Sequence, residues 1–262
     1  MSLAEPNPTS KAIEIRPLIT VEQFRRCVEL QVSVWGFDEL DVMPLRFFVV
    51  ASRIGGQVFG AFTPKKEMVG FLCALSGMKG EMPYIHSHML AVVPEFRNQG
   101  VARGLKLAQR EDALQRGFRL VEWTFDPMEL KNAYFNIEKL GAIVQHYSPN
   151  HYGISSSRLQ AGLPTDRLIA EWWVMSSRVK GILGEIEARK SDAELPGNQR
   201  RVEVPSDMTE WKSGDAPRAM RIQLELRQRF LDYFQENYSV TGFERGNEKS
   251  AYVLTKNFNI QM

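Results

Sequence analysis

Apolar residues along the chain recur every second position in some stretches and every third or fourth in others, and this alternation lays out the elements. "IEIRPL" (13–18) alternates and predicts a strand. Thr20 stands as an N-cap before 21–34, where Val21, Phe24, Cys27, Val28 and Val34 keep helical spacing. Pro44 opens a second helix over 44–54 and the Gly55–Gly56 pair stops it. "QVFGAFT" and "EMVGFLCALSG" read as a hairpin joined by "PKK", followed by a longer strand, "MPYIHSHMLAVV". Residues 99–116 are helical, with Val101, Leu105, Ala108, Asp112 and Gln115 on one stripe, and Gly117 ends the helix. Then come the strand "RLVEWTF", a helix "PMELKNAYFNIEKL" capped by Asp126 and Gly141, and the strands "AIVQHY" and "LIAEWWVM".

The resulting order over 12–177 is β-α-α-β-β-β-α-β-α-β-β. It predicts an α/β fold, a mixed sheet with helices on both faces. Beyond Ser176 the pattern weakens. A helix over 178–190, a loop over 191–200 and a strand "VEVP" precede a long amphipathic helix over 215–236 carrying Met220, Leu224, Phe230, Leu231 and Phe234. "YSVTGF" and "SAYVLT" form a closing hairpin. This strand–helix–hairpin unit, 178–262, is too small to bury a core alone and is expected to pack on the first domain as an extension.

The 262 residues carry a formal net charge of +2, too little for a nucleic-acid footprint. "NQRR" (198–201), the densest basic stretch, reads as a solvated loop. The two cysteines, Cys27 and Cys73, sit in no metal or redox spacing and are expected as buried, reduced thiols of a cytoplasmic protein. The first residues lack the apolar run of a signal peptide, and no stretch reaches the ~20 apolar residues of a membrane span.

The chemistry concentrates in "HSHMLAVVPEFRNQGVARG" (86–104). A strand meets Pro94, a short loop follows, and a helix opens near Gly100. Helix N-termini offer unpaired N–H groups and the positive end of the macrodipole. Gly100 and Ala102 leave that backbone uncovered, and Arg97 and Arg103 add charge. The combination predicts a phosphate or pyrophosphate cradle. It lacks both the Gly-x-Gly-x-x-Gly fingerprint and the Gly-Lys-Ser/Thr of a P-loop. His86 and His88, two apart on a strand, share a side at a separation of roughly 7 Å, within reach of a bridging water.

"RNQGVA" (97–102) resembles the Arg/Gln-x-x-Gly-x-Gly/Ala motif of the GCN5-related N-acetyltransferases (GNAT), and the element order and "EKLGA" (138–142) agree with that family. The resemblance covers roughly residues 12–177. It implies a GNAT fold, acetyl-CoA as cosubstrate without a metal, and an amine acceptor attacking directly in a ternary complex. It also implies that the backbone of Arg97, Asn98, Gln99, Gly100, Val101 and Ala102 holds the pyrophosphate, with the charge of Arg103 beside it. Leu90, Ala91 and Val92 would pair with the pantetheine arm beside a bulge that splays the strand from "RLVEWTF". The spacing of His86, His88 and "LAV" resembles the arylalkylamine branch, which implies a water-linked proton relay through both histidines. An imidazole, with an ordinary pKa near 6.5, suits that task.

The chain departs from the family at the acid. Ile137 stands where a tyrosine often donates a proton, and Leu130 where an asparagine often stands. Tyr134, one turn earlier, is the substitute candidate, with Asn132 and Asn136 as contacts for the cofactor's thiol or pantetheine. Glu122 is a weaker candidate base. Trp123, Trp172 and Trp173 read as core or as walls of an acceptor pocket. The acidic, aromatic stretch "SVWGFDELDVMP" lies where the family builds its acceptor site, and otherwise reads as a solvated loop. A non-catalytic acyl-CoA-binding regulatory module is the alternative reading of the same residues, and a homodimer is compatible with either.

Overall fold

The computed structural model describes residues 13–153, 155–157, 160–187 and 198–262. The element order begins β1 (Glu14–Pro17), α1 (Val21–Trp35), α2 (Leu45–Arg53), β2 (Gln57–Phe62), β3 (Met68–Lys79) and β4 (Met82–Val92). It continues α3 (Val101–Gln115), β5 (Leu120–Phe125), α4 (Leu130–Tyr134), β6 (Ile143–Ser148), β7 (Arg167–Trp173) and α5 (Ser177–Ile182). The chain closes with β8 (Gln199–Pro205), α6 (Met208–Gly214), α7 (Ala216–Gln235), β9 (Tyr238–Glu244) and β10 (Lys249–Lys256). Through β7 this is the order that the hydrophobic pattern predicts.

All ten strands join one sheet, in the order β1-β2-β3-β4-β5-β7-β6-β9-β10-β8. Neighbouring strands run antiparallel except β4 and β5, which are parallel and pair only at Ile85↔Val121 and His86↔Glu122. Beyond those two pairs the strands part and leave a fork. Helices cover the sheet in two apolar layers. Phe24, Cys27 and Leu30 of α1 and Phe48 of α2 pack with Phe71 and Cys73. Val101 and Leu105 of α3 pack with Ile85, Val121, Trp123 and Ile137. Both cysteines are free and buried, and burial pushes the Cys73 thiol up to about 12.

The local signals held where side chain and backbone agree. Thr20 caps α1 in a reciprocal box with Gln23, satisfying two amides left open by the helix start. Other expectations fail for tertiary reasons. The helix expected from Pro127 is a single α-turn run, Leu130–Tyr134, that relaxes into a wider π-turn over Phe135–Lys139. Asp126 does not cap it: its Oδ1 accepts from the Met128 amide, and its Oδ2 accepts from Lys212. "NQRR" is no free loop: residues 199–201 open β8, which pairs with β10, and Arg201 ion-pairs Glu244. The helix expected over 178–190 ends at Ile182, and its last residues, like 191–197 and the first twelve, lie outside the described residues. α6 carries too short a pattern to be foreseen. On α3 the buried face is Val101, Leu105, Lys106, Gln109, Arg110 and Ala113, not the Ala108–Asp112–Gln115 stripe. On α7 it is Ala219, Gln223, Leu226 and Phe230, and Leu224 is exposed.

The last third of the chain is knit into the first. β9 pairs with β6 at Val144↔Val240, and Tyr252 donates to the Pro127 carbonyl at 2.7 Å. Lys212 of α6 lies between Asp126 (2.7 Å) and Glu129 (2.8 Å), both preceding α4. Burial draws its ammonium down, but the two carboxylates outweigh it and hold the pKa above the ordinary lysine value. Arg178 donates to the Gly141 and Thr241 carbonyls, tying β9 to the end of the π-turn.

Candidate functional site

The cradle is built by backbone conformation. Pro94–Phe96 forms one 3-10 turn, Asn98 and Gly100 take positive φ (60° and 83°), and α3 starts at Val101. No side chain caps α3, and the first amide to find a backbone acceptor is that of Gly104, on the Gly100 carbonyl. Among the described residues, no well-aligned acceptor takes up the N–H groups of 98–103. A Cβ at Gly100 would meet nothing within 4 Å, so this corner of the turn is uncrowded. Gly104, by contrast, lets α3 press on β1, since a Cβ there would meet Ile15 at 2.5 Å. Open amides at the positive end of a 15-residue helix fit a pyrophosphate. Of the two arginines, Arg97 donates through Nε to the Val92 carbonyl at 3.1 Å, anchoring the loop to the end of β4, while Arg103 is exposed.

β4 explains the fork. Ser87 pairs with Ala74 and Met89 with Cys73 of β3, so His88 is the extra residue of a β-bulge. After it, Leu90, Ala91 and Val92 pair with Leu72, Phe71 and Gly70 on one side only. Their other edge, facing the fork, is free to take an extended arm as an added strand. The bulge thus lies two residues upstream of "LAV".

His88 sits in the bulge and His86 two residues before it, with ring centroids 6.1 Å apart. Both are partly buried, and burial holds each imidazole below the ordinary histidine value; Glu122 pulls His86 partly back up. Both are therefore neutral and ready to take a proton at neutral pH. Tyr84 packs edge-on to His86, and Phe47 of α2 packs on His88. Trp35 stacks on Phe37 at 5.3 Å and meets Phe71, so the aromatic wall of α1 and α2 runs toward His88. Opposite, Tyr152 of the β6–β7 loop bonds Thr124 at 2.9 Å.

That loop is fixed by residues that sequence reading missed. Asp166, fully buried, accepts from the Tyr147 hydroxyl, the Asn150 amide and both ends of the Arg227 fork. Asp41 accepts from Ser155 and Ser156, which joins the α1–α2 loop to the β6–β7 loop. Asp41 is thus engaged in holding two loops together, while Asp38 and Glu39 stay exposed. The pairings that reveal these roles span 16 to 115 residues, and no local motif signals them.

The remaining candidates separate. Tyr134 lies between Lys139 and Arg245, with their charges 5.2 and 5.1 Å from its ring, and Ile137 is fully buried. Asn132 is exposed and Asn136 is buried in the π-turn. Glu122 bonds Lys79 at 2.8 Å; Lys79 also faces Glu171, which in turn meets His146. Trp172 is core, donating to the Leu140 carbonyl, with Trp123 edge-on against it. The described residues contain no cluster able to hold a metal ion, and no helix among them is long and apolar enough to cross a membrane.

No family model and no curated protein sequence matches the chain. Solved structures do. The chain superposes on Arabidopsis thaliana NAA60 in complex with a bisubstrate analogue at TM-score 0.50, with 16% identity over 62% of this chain and 99% of that one. The acetyl-CoA complex of NAA60 gives TM-score 0.50, 15% identity and the same coverage. The chain has the GCN5-related N-acetyltransferase fold. The ribosomal-protein-S18-alanine N-acetyltransferase from Escherichia coli also matches, at 15% identity over 62% of this chain and 94% of that one, with TM-score 0.49. In this GNAT fold the parallel, parting β4 and β5 are the one break in an otherwise antiparallel sheet. The likeness covers under two thirds of the chain.

Proposed function

We propose that the chain is an acetyl-CoA-dependent N-acetyltransferase of the GNAT family, with 12–177 as the transferase domain and 178–262 as an extension packed on it. The observation that carries this reading is the alignment of three features: the open amides of 98–103, the free edge of Leu90–Val92, and two neutral histidines beside the fork. Backbone amides of 98–103 would hold the pyrophosphate, with Arg97, whose own amide donates to the Pro94 carbonyl, beside them, and Leu90, Ala91 and Val92 would align the pantetheine. Bound acetyl-CoA supplies an activated thioester carbonyl. This chain's part is to place that carbonyl in the fork and to take the proton of the incoming amine through His86 and His88 and a bridging water. The acceptor nitrogen forms the amide bond, the thioester C–S bond breaks, and its electron pair goes to sulfur.

The acceptor reading is an amine entering between the α1–α2 loop and the β6–β7 loop, against Trp35, Phe37 and Phe47. Tyr134 is poorly disposed as the acid, since its ring is engaged with Lys139 and Arg245. This, with Ile137, favours a second reading: a non-catalytic acyl-CoA-binding module.

Replacing both histidines (His86→Ala with His88→Ala) tests the relay. The imidazoles' depressed pKa keeps them unprotonated into mildly acidic solution, where most alkyl amines are charged. kcat/KM should therefore fall by about 100-fold near pH 6 and by less near pH 9, in line with the usual worth of general-base catalysis. A loss of equal size at every pH would remove the proton role.

A further inference from the structure

Lys106 is a charged group of the α3 interface that the proposed chemistry leaves without a task and, unlike Arg110, without a carboxylate partner. It projects from α3 into the sheet and is 3% exposed. Its Nζ donates to the Ser87 hydroxyl at 3.0 Å and to the Gln109 side-chain Oε1 at 2.9 Å. It also sits 3.5 Å from the centre of the Trp123 ring and 5.9 Å from that of Trp172. Two oxygens and an aromatic face thus surround an ammonium that has three N–H donors. No carboxylate among the described residues pairs with it. Buried lysines are rare unless paired, and this one is unpaired.

Its place explains what could pair it. The last β4–β5 pair is His86↔Glu122. Ser87 and Trp123 are the next residue on each strand, the first after the strands part. Lys106 touches both, so its charge lies at the base of the fork, on the α3 layer of the sheet. His88 packs instead on Phe47 of α2, with His86 beside it. An arm laid along Leu90–Val92 from the cradle points its far end at this spot.

We propose that Lys106 is the group that meets the negative charge on the departing sulfur, in place of the hydroxyl that Ile137 cannot supply. This rests on the acyl-CoA reading of the fork. As the C–S bond breaks, its electron pair goes to sulfur, and the Lys106 ammonium opposes the charge without giving up its proton. The thiolate leaves the fork and takes a proton from solvent, while the amine's proton leaves by the histidines. Burial alone draws the Lys106 ammonium well below the ordinary lysine value. An anion arriving in the fork supplies the missing partner and keeps the proton on nitrogen. The other charged or titratable groups nearby are His86, whose ring feels the Lys106 charge, Arg110 on the same helix, and Asp112, reached through Gln109 and Gln57.

The test is the titration of the thiol of bound CoA, followed by its thiolate absorbance, in the wild type and in Lys106→Met. Methionine fills the same volume without a charge, so the fold should persist. The bound thiol should titrate about one unit or more lower in the wild type, and turnover should fall at least ~10-fold in the variant with CoA affinity nearly unchanged. If the variant fails to fold, nitrogen NMR of labelled lysine in the wild type gives the same answer: Lys106 should hold its proton to higher pH with CoA bound than without. Identical thiol titrations, or a Lys106 pKa unmoved by CoA, would overturn the proposal while leaving the acyl-CoA reading intact. Acetylation of Lys106 on incubation with acetyl-CoA would also overturn it, because it would show a neutral nucleophile there. No binding of CoA to the wild type would overturn both.

Discussion

Gly100→Glu should abolish CoA binding while leaving the protein folded. Gly100 has φ 83°, and a Cβ there would meet nothing within 4 Å, so the side chain fits at the residue that directly precedes α3. The left-handed backbone alone costs a non-glycine residue about 1–2 kcal/mol. The larger effect is electrostatic: a carboxylate at the positive end of α3 occupies the place of the pyrophosphate and repels it. CoA affinity should fall by roughly 100-fold or more, equivalent to about 2.7 kcal/mol at 25 °C. Gly100→Ala separates the causes, since it carries the same backbone strain without charge or bulk. It should lose much less affinity. Calorimetric titration with CoA measures both variants, and unchanged affinity in Gly100→Glu would remove the cradle.

Asp166→Ala should lower the melting temperature by about 10 °C. Asp166 is fully buried and accepts four hydrogen bonds: one from Tyr147, one from Asn150 and two from Arg227. Removing one partner of a buried ion pair costs about 3–5 kcal/mol, because the other charge stays behind without it. In a chain of this size each kcal/mol is worth ~2–4 °C. The loss falls on the joint between α7 and the β6–β7 loop, so the variant also tests how the C-terminal third supports the acceptor side. Below its melting temperature it should still bind CoA, because the cradle lies at the start of α3, on other elements. A shift under about 2 °C in a thermal scan would show that the four bonds contribute little.

These two sites differ in how the sequence announces them. Gly100 is legible because anion binding at a helix start is local: a strand, a proline, a short loop and a glycine follow one another within 86–104. The two histidines are legible for the same reason. Their bulge was foreseen only as a property of the resembling family, and the register places it at His88. Asp166 and Arg227 are 61 positions apart and carry no motif, so only the fold joins them. Lys106 was hidden by the helical pattern itself. Reading α3 for apolar spacing selects Ala108, and the real inward face carries Lys106, Gln109 and Arg110, polar residues that satisfy one another or nearby carbonyls. The helix after β5 looked continuous from Pro127 to Leu140, whereas tertiary contacts of Asp126 and Tyr252 reshape its start and its last residues widen into a π-turn. Element order survived because it rests on long apolar runs. Boundaries and charged cores did not, because contacts from distant segments decide them.

The most direct measurement is acetyl transfer across a panel of amines: arylalkylamines, polyamines, aminoglycosides, peptides with free N-termini and lysine peptides. Each is incubated with the protein and acetyl-CoA, following thiol release and the mass of the acceptor. At least one amine should gain an acetyl group in step with release of one thiol, at a rate that depends on His86 and His88. Tight binding of CoA with no acceptor acetylated above the uncatalysed rate would contradict the account and leave an acyl-CoA-binding module in its place.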